Sequence, residues 1–209
     1  MSVLQGKEGV CRVEVSRVEW NVLQPWQRTP QSKSSGTAFV IQSGYLLTNA
    51  HVVRSATDIR VRPHGSTRRF PAKVVHYAPD VDLALLEIRG EQEKLDFFSG
   101  NSDKVVKTES ENGGEREKKR PKRTLGLEFA DELPSLHQSV HVVGFPTGGN
   151  TICVTEGVVS RIDFIAFGWS GMMLTIQIDA AINPGVRPSM QEKLFCHSRN
   201  LLFFSPIGI

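Results

Sequence analysis

The 209-residue sequence has no apolar run long enough to cross a bilayer. Its longest stretches, such as Leu201-Leu202-Phe203-Phe204, fall far short of the roughly 20 residues that a spanning helix needs, so no membrane span is expected. Cysteine is scarce. The three residues, Cys11, Cys153 and Cys196, are odd in number and far apart, which fits neither a disulfide framework nor a zinc-ligand spacing. They read as reduced thiols of an intracellular or organellar protein, with Cys196-His197 a chance pair, and no metal site is expected. An excess of one charge is also lacking: 25 Lys and Arg against 22 Asp and Glu leave +3. That balance demands no polyanion, and no nucleic-acid partner is expected. The first ten residues carry neither a basic-then-apolar signal pattern nor an Arg-rich transit pattern. The compartment stays open among plastid, mitochondrion, nucleus and other intracellular sites.

What is present is a succession of short alternating segments bounded by Gly, Pro, Asp and Ser. Residues 11–20, 37–41 and 45–48, with a Gln42-Ser43-Gly44 turn between the last two, read as strands; so do 58–62, 69–77 and 83–88. The same style returns at 139–145, 151–155, 157–167 and 172–179. Short strands at this rhythm predict an all-β barrel or sandwich. Two such groups, separated by a polar segment, predict two small barrels, the first at about 11–90 and the second at about 135–185. Between them, residues 99–123 lose their apolar residues to charge, Ser, Asn and Gly and read as a solvated insertion. Within it Lys118-Lys119-Arg120-Pro121-Lys122-Arg123 fits a nuclear import signal or a polyanion patch, and also an exposed loop with neither role.

Serine-protease chemistry needs a hydroxyl nucleophile, an imidazole to take its proton, a carboxylate to orient the imidazole, and backbone N–H groups to hold an oxyanion. Leu46-Leu47-Thr48-Asn49-Ala50-His51-Val52-Val53 places a histidine just after a strand, and the strand before that is Ser35-Gly36-Thr37-Ala38-Phe39-Val40-Ile41. Asp80-Val81-Asp82-Leu83-Ala84-Leu85-Leu86 supplies a carboxylate at the head of an apolar strand. Farther on come Val143-Gly144-Phe145-Pro146 with Gly148-Gly149, then Val154-Thr155-Glu156-Gly157-Val158-Val159-Ser160-Arg161, and Gln177-Ile178-Asp179-Ala180-Ala181-Ile182-Asn183-Pro184-Gly185. Singly these signals are modest, since a histidine or aspartate beside a strand is usually structural. Together and in this order they resemble the HtrA/Deg (Do-like) family of trypsin-like serine proteases.

The resemblance runs from about 11 to 185 and implies a double β-barrel of the chymotrypsin/trypsin type. It implies His51 as general base, Asp82 rather than Asp80 as its orienter, and Gly185 as an oxyanion-hole donor. It implies a serine endopeptidase of protein quality control that needs no cofactor, acts on unfolded or misfolded protein segments and assembles as trimers. His64, His76, His137, His141 and His197 lie outside every motif and read as surface or core residues. Pro25-Trp26-Gln27 is similar to plant and protist Do-like members in particular.

The pattern breaks after Gly185. The family continues Asn-Ser-Gly-Gly-Pro, whereas here Val186-Arg187-Pro188-Ser189 follow, so Arg187 takes the nucleophile's place. A guanidinium has no hydroxyl and no useful nucleophilicity at neutral pH. Ser189 stands two residues too far along and behind a proline, and Ser198 has no supporting context. Residues 191–209 show no clear alternation, so the second barrel is expected to be incomplete, 186–209 to form an unmatched tail, and no PDZ domain is recognisable. An end of the match at a single peptide bond is the signature of a retained intron or frameshift. The chain is expected to be an inactive version of a protease, or alternatively a catalytically dead homologue serving as a binding or regulatory subunit. From composition alone, limited proteolysis of the folded chain is expected to cut first within 99–123. First cuts inside 37–53 or 83–88, located by mass spectrometry of the fragments, would contradict the two-barrel division.

Overall fold

The computed structural model describes residues 7–41, 44–99, 126–127, 129–130, 132–146, 149–166, 172–180, 193–197 and 201–205. The basic run at 118–123 and the greater part of the insertion fall outside these residues, as do 181–192. Six strands close a barrel: β1 (Val10–Arg17), β2 (Ser32–Val40), β3 (Leu46–Thr48), β4 (Ala56–Pro63), β5 (Phe70–Ala78) and β6 (Leu83–Ile88), in the order β1-β2-β3-β6-β5-β4. All neighbouring pairs are antiparallel, for instance Cys11 against Ala38, Val13 against Val61, and Leu47 against Leu85. Closure leaves the barrel no unpaired strand edge.

Period-two patterning fills the barrel. Cys11, Val13 and Val15 of β1, Ala38 and Val40 of β2, Ile59 and Val61 of β4, and Ala84, Leu86 and Ile88 of β6 all enter one buried cluster. Leu46 and Leu86 are fully buried, each contributing about 1.5–3 kcal/mol of transfer free energy. A helix at Glu91–Ser99, which the strand-centred sequence reading passes over, packs Phe97 into the barrel cluster. Its Phe97 is buried edge-on against Phe70, with ring centroids 5.2 Å apart, and ion pairs Lys94–Glu87 and Arg68–Asp96 fasten its outer face.

The second unit is a five-stranded sheet in the order β10-β11-β7-β8-β9, built from β7 (Ser139–Gly144), β8 (Cys153–Ala166), β9 (Met172–Ala180), β10 (Lys193–His197) and β11 (Leu201–Ser205). The segments expected as two strands at 151–155 and 157–167 are one 14-residue strand, β8. Gly157 makes its pairing possible. A Cβ there would lie 2.4 Å from the Asp179 carbonyl oxygen and 2.7 Å from the Ala180 Cα, so only glycine admits β9 at that distance.

The tail corrects the sequence reading. Residues 193–197 and 201–205 form two antiparallel strands, and β11 lies between β10 and β7, antiparallel to the first and parallel to the second, with Leu201 opposite His141 and Phe203 opposite Val143. Its apolar run Leu201-Leu202-Phe203-Phe204 has no polar residue between apolar ones, which is why it escapes a search for alternation.

The two units meet through apolar residues on the outer wall of the barrel. Val10, Phe39 and Leu127 pack against Val143 and Phe145, flanked by Leu47, Ile41, Ile152 and Val154. Thr37 ties this junction to the barrel: its carbonyl accepts the Thr48 hydroxyl at 2.8 Å, and its own Oγ1 accepts the buried Phe145 N–H at 2.8 Å. Arg12 donates to the Asn150 side chain and Arg62 to the Asn150 carbonyl, at 3.0 Å in the latter case. Among the described residues no helix is long and apolar enough to cross a membrane.

Thr37→Val keeps the shape of the side chain and removes the acceptor for the Phe145 N–H. Leaving that buried donor unpaired is expected to cost about 1–3 kcal/mol, read as a lower denaturation midpoint in urea. Thr37→Ser, which retains the oxygen, should lose much less, and equal losses in the two variants would sink the account.

Candidate active site

β3 ends at Thr48, and the chain then turns through one helical turn, Ala50–Val53, whose second residue is His51. The turn is packed down hard: Ala50, Val52 and Val53 are buried. Gly36 of β2 leaves room for it, since a Cβ at that position would sit 2.8 Å from both Val52 methyl groups. The carbonyl of Val52 accepts from Arg17 at 3.3 Å, and Ser34 takes another bond from the same guanidinium at 2.6 Å. The short helix bearing the imidazole is therefore held from β1, β2 and the core.

Asp82 reaches it from the turn that opens β6. That turn closes with the Asp82 N–H donating to the Pro79 carbonyl at 3.1 Å, and it places Asp82 at φ 54. This is the left-handed region, which aspartate tolerates better than most residues with a Cβ. The kink buries the side chain of Asp82 and leaves Asp80 exposed. Of the two carboxylates in the motif, Asp82 is the one that meets His51.

The contact is multiple. His51 Nδ1 lies 2.9 Å from Asp82 Oδ2 and 3.1 Å from Oδ1. The backbone N–H of His51 donates to Oδ1 at 2.8 Å, the N–H of Ala50 to the Asp82 carbonyl at 3.1 Å, and the buried Asn49 amide to Oδ2 at 3.1 Å. An ionised carboxylate only accepts, so the imidazole proton facing it sits on Nδ1. Burial is the largest single influence on Asp82 and pushes its pKa up. The hydrogen bonds from the His51 ring and backbone, the charge of His51 and the Asn49 amide together outweigh it, and the carboxyl ends below its ordinary value. Asp82 is thus a carboxylate at neutral pH, with side-chain exposures of 21% for His51 and 11% for Asp82 that leave the imidazole the more accessible partner.

Gly185, Arg187 and Ser189 lie outside the described residues, as does Ser198, so the structure places none of the positions that concern nucleophile or oxyanion. Asn49 carries no role in the sequence reading although it stands inside the quoted histidine motif. The available signal was a helix-capping residue type immediately before the short helix. Cys11 is free and buried, and burial pushes its thiol pKa strongly up, the condition of an inert core cysteine; Cys153 is also free. Among the described residues no cluster of three or more His, Cys, Asp or Glu side chains exists that could hold a metal ion.

A closed six-stranded barrel joined to a second β-sheet, with an imidazole held by a buried carboxylate on the barrel, defines the frame of a trypsin-like serine peptidase. Comparison with known proteins agrees. The model of the trypsin-like peptidase domain matches residues 36–186. Protease Do-like 2, chloroplastic, of Arabidopsis thaliana is 43% identical over 77% of this chain, and Protease Do-like 4, mitochondrial, of the same plant is 39% identical over 79%. The solved HtrA-type protease AlgW with tripeptide superimposes with a TM-score of 0.58 at 22% identity, covering 88% of this chain and 48% of that one, a likeness of fold. The chain belongs to the trypsin-like peptidase family, within its HtrA/Deg group. It spans 22% and 27% of the length of those two plant relatives.

Because the Asp82 pKa is depressed on folding, the stability it contributes is fully present above the unfolded aspartate value of 3.8 and is lost as pH falls through that value toward the folded one. Asp82→Asn should therefore flatten the acid limb of a stability-against-pH curve measured by urea unfolding between about pH 2 and 6. An acid limb identical in both proteins would contradict the assignment.

Proposed function

We propose that this chain is an HtrA/Deg serine-endopeptidase domain that retains the general base and its orienter, His51 and Asp82, but lacks peptidase activity because Arg187 replaces the serine. The single observation that carries the first half is the His51–Asp82 contact, 2.9 Å from Nδ1 to Oδ2 with the backbone N–H of His51 on the other oxygen. With Nδ1 protonated against the carboxylate, Nε2 of the neutral ring holds the lone pair, which is the state a general base needs. In a complete site that nitrogen would take the proton of a serine hydroxyl, Asp82 would stabilise the resulting imidazolium, and the Gly185 N–H would help hold the oxyanion. The second half is supported by the sequence Gly185-Val186-Arg187-Pro188 and by a family match that runs to residue 186.

The substrates of the intact chemistry would be unfolded or misfolded polypeptide segments, and the assembly a homotrimer, both carried over from the family. The plant relatives named mitochondrial and chloroplastic support an organellar location. One observation favours a lasting inactive subunit over an unstable fragment. β11 pairs with the side of β7 away from β8, so β7 is paired on both sides and the sheet has five strands, its edges being β10 and β9. Such a subunit would bind polypeptide segments or pair with active copies.

The purified chain is expected neither to hydrolyse casein nor to label with a fluorophosphonate, since removing a triad serine costs about a million-fold in turnover. Val186→Asn with Arg187→Ser is not expected to restore activity, because a hydroxyl displaced by about an ångström loses on the order of a hundredfold and a missing oxyanion donor about as much again. Replacing everything after Gly185 with a complete family segment should give casein hydrolysis that disappears in His51→Ala. Labelling of the unaltered chain that depends on His51 would overturn the proposal. Turnover by the two-residue repair near that of the full replacement would show that the residues after 187 do not matter.

A further inference from the structure

Asn49 occupies a position whose usual work is done by another residue. It immediately precedes the one-turn helix with φ −80 and ψ 145, the extended geometry of an N-cap, where an asparagine oxygen ordinarily accepts a backbone N–H from the helix's first turn. No such bond forms. Asp82, arriving from the head of β6, caps the helix instead: its carbonyl takes the N–H of Ala50 and its Oδ1 the N–H of His51, at 3.1 and 2.8 Å. The amide of Asn49 is left for a different use, and at 1% exposure it has no water to turn to. It donates to Asp82 Oδ2 at 3.1 Å. Because an ionised carboxylate only accepts, the amide nitrogen and not its oxygen must face that atom.

We propose that Asn49 is a positioning residue of the His51–Asp82 pair, its buried amide fixing the direction in which the carboxylate faces the imidazole. The inference rests on the reading of His51 and Asp82 given above. Besides the ring, the His51 backbone N–H anchors Oδ1 and the Asn49 amide anchors Oδ2. Anchors on both oxygens set the plane of the carboxylate, and without the Asn49 amide Oδ2 is held less firmly against Nδ1. The amide is what the site requires.

The test follows the imidazole proton in the full chain labelled with 15N-histidine, its His51 resonances assigned by their loss in His51→Ala. In the unaltered protein His51 should show the Nδ1–H tautomer with slow solvent exchange, and Asp82→Asn should abolish that state. Asn49→Asp, of equal size but with the donor replaced by a second carboxylate, and Asn49→Ala should each speed exchange of the Nδ1 proton by about tenfold or more, the factor set by losing one hydrogen bond to a charged group. The signals of His64, His76 and His141 should stay in place. Unchanged tautomer and exchange in both Asn49 variants would overturn the proposal while leaving the pair itself intact. A loss of the thermal transition in both variants, with every histidine altered alike, would equally overturn it by making Asn49 merely structural. If the unaltered chain lacks the Nδ1–H state, or Asp82→Asn leaves it unmoved, the fault lies in the reading of His51 and Asp82.

Discussion

The carboxylate of Asp82 joins two parts of the barrel that are remote in sequence. From the turn that opens β6 it caps the start of the helix that follows β3, so the loop bearing the imidazole is stitched to the strand beside it by backbone as well as side chain. Capping from a distance has a consequence for the site. The helix of one turn has no independent stability, and its position is fixed by the same atoms that orient the ring. Geometry of the imidazole and integrity of the barrel wall are one property here, so that the His51–Asp82 pair is built by the barrel alone.

The second constraint is the junction. The strand interiors of β2 and β3 face opposite ways, with Ala38, Val40 and Leu46 inside the barrel and Phe39 and Leu47 turned outward to Val143, Phe145 and Val154. Both faces of these strands are apolar for that reason. Thr37, the one polar residue buried at this place on β2, links barrel and sheet through a single hydroxyl.

Much of this was legible in the sequence, and the misses share a cause. β6 was read with its true bounds because Leu83-Ala84-Leu85-Leu86-Glu87-Ile88 lies between a turn and a Gly, and β4 and β5 fell within about two residues because part of each is exposed, whereas β1, with no exposed residue, was read three residues too long. The His51 and Asp82 motifs were found by their order, and the structure brings the two side chains into contact. The helix Glu91–Ser99 was missed because its burial is carried by little more than Phe97, too narrow a stripe to show a 3.6-residue period. β11 was missed because its unbroken apolar run, Leu201-Leu202-Phe203-Phe204, shows no period-two alternation. Asn49 was passed over because its value lies in a contact with a residue that only folding brings near.

The pairing of β11 with β7 also bears on the order in which the molecule assembles. Every partner in the barrel falls between Val10 and Ile88, so that unit has all its strands before any strand of the sheet is synthesised. The sheet has to wait. Leu201 meets His141 about sixty residues upstream, and a contact of that separation is slow to close. During the interval the outer flank of β7 is bare, and the finished barrel, presenting Phe39 and Val10 next to it, serves as the template on which the rest of the chain is laid down.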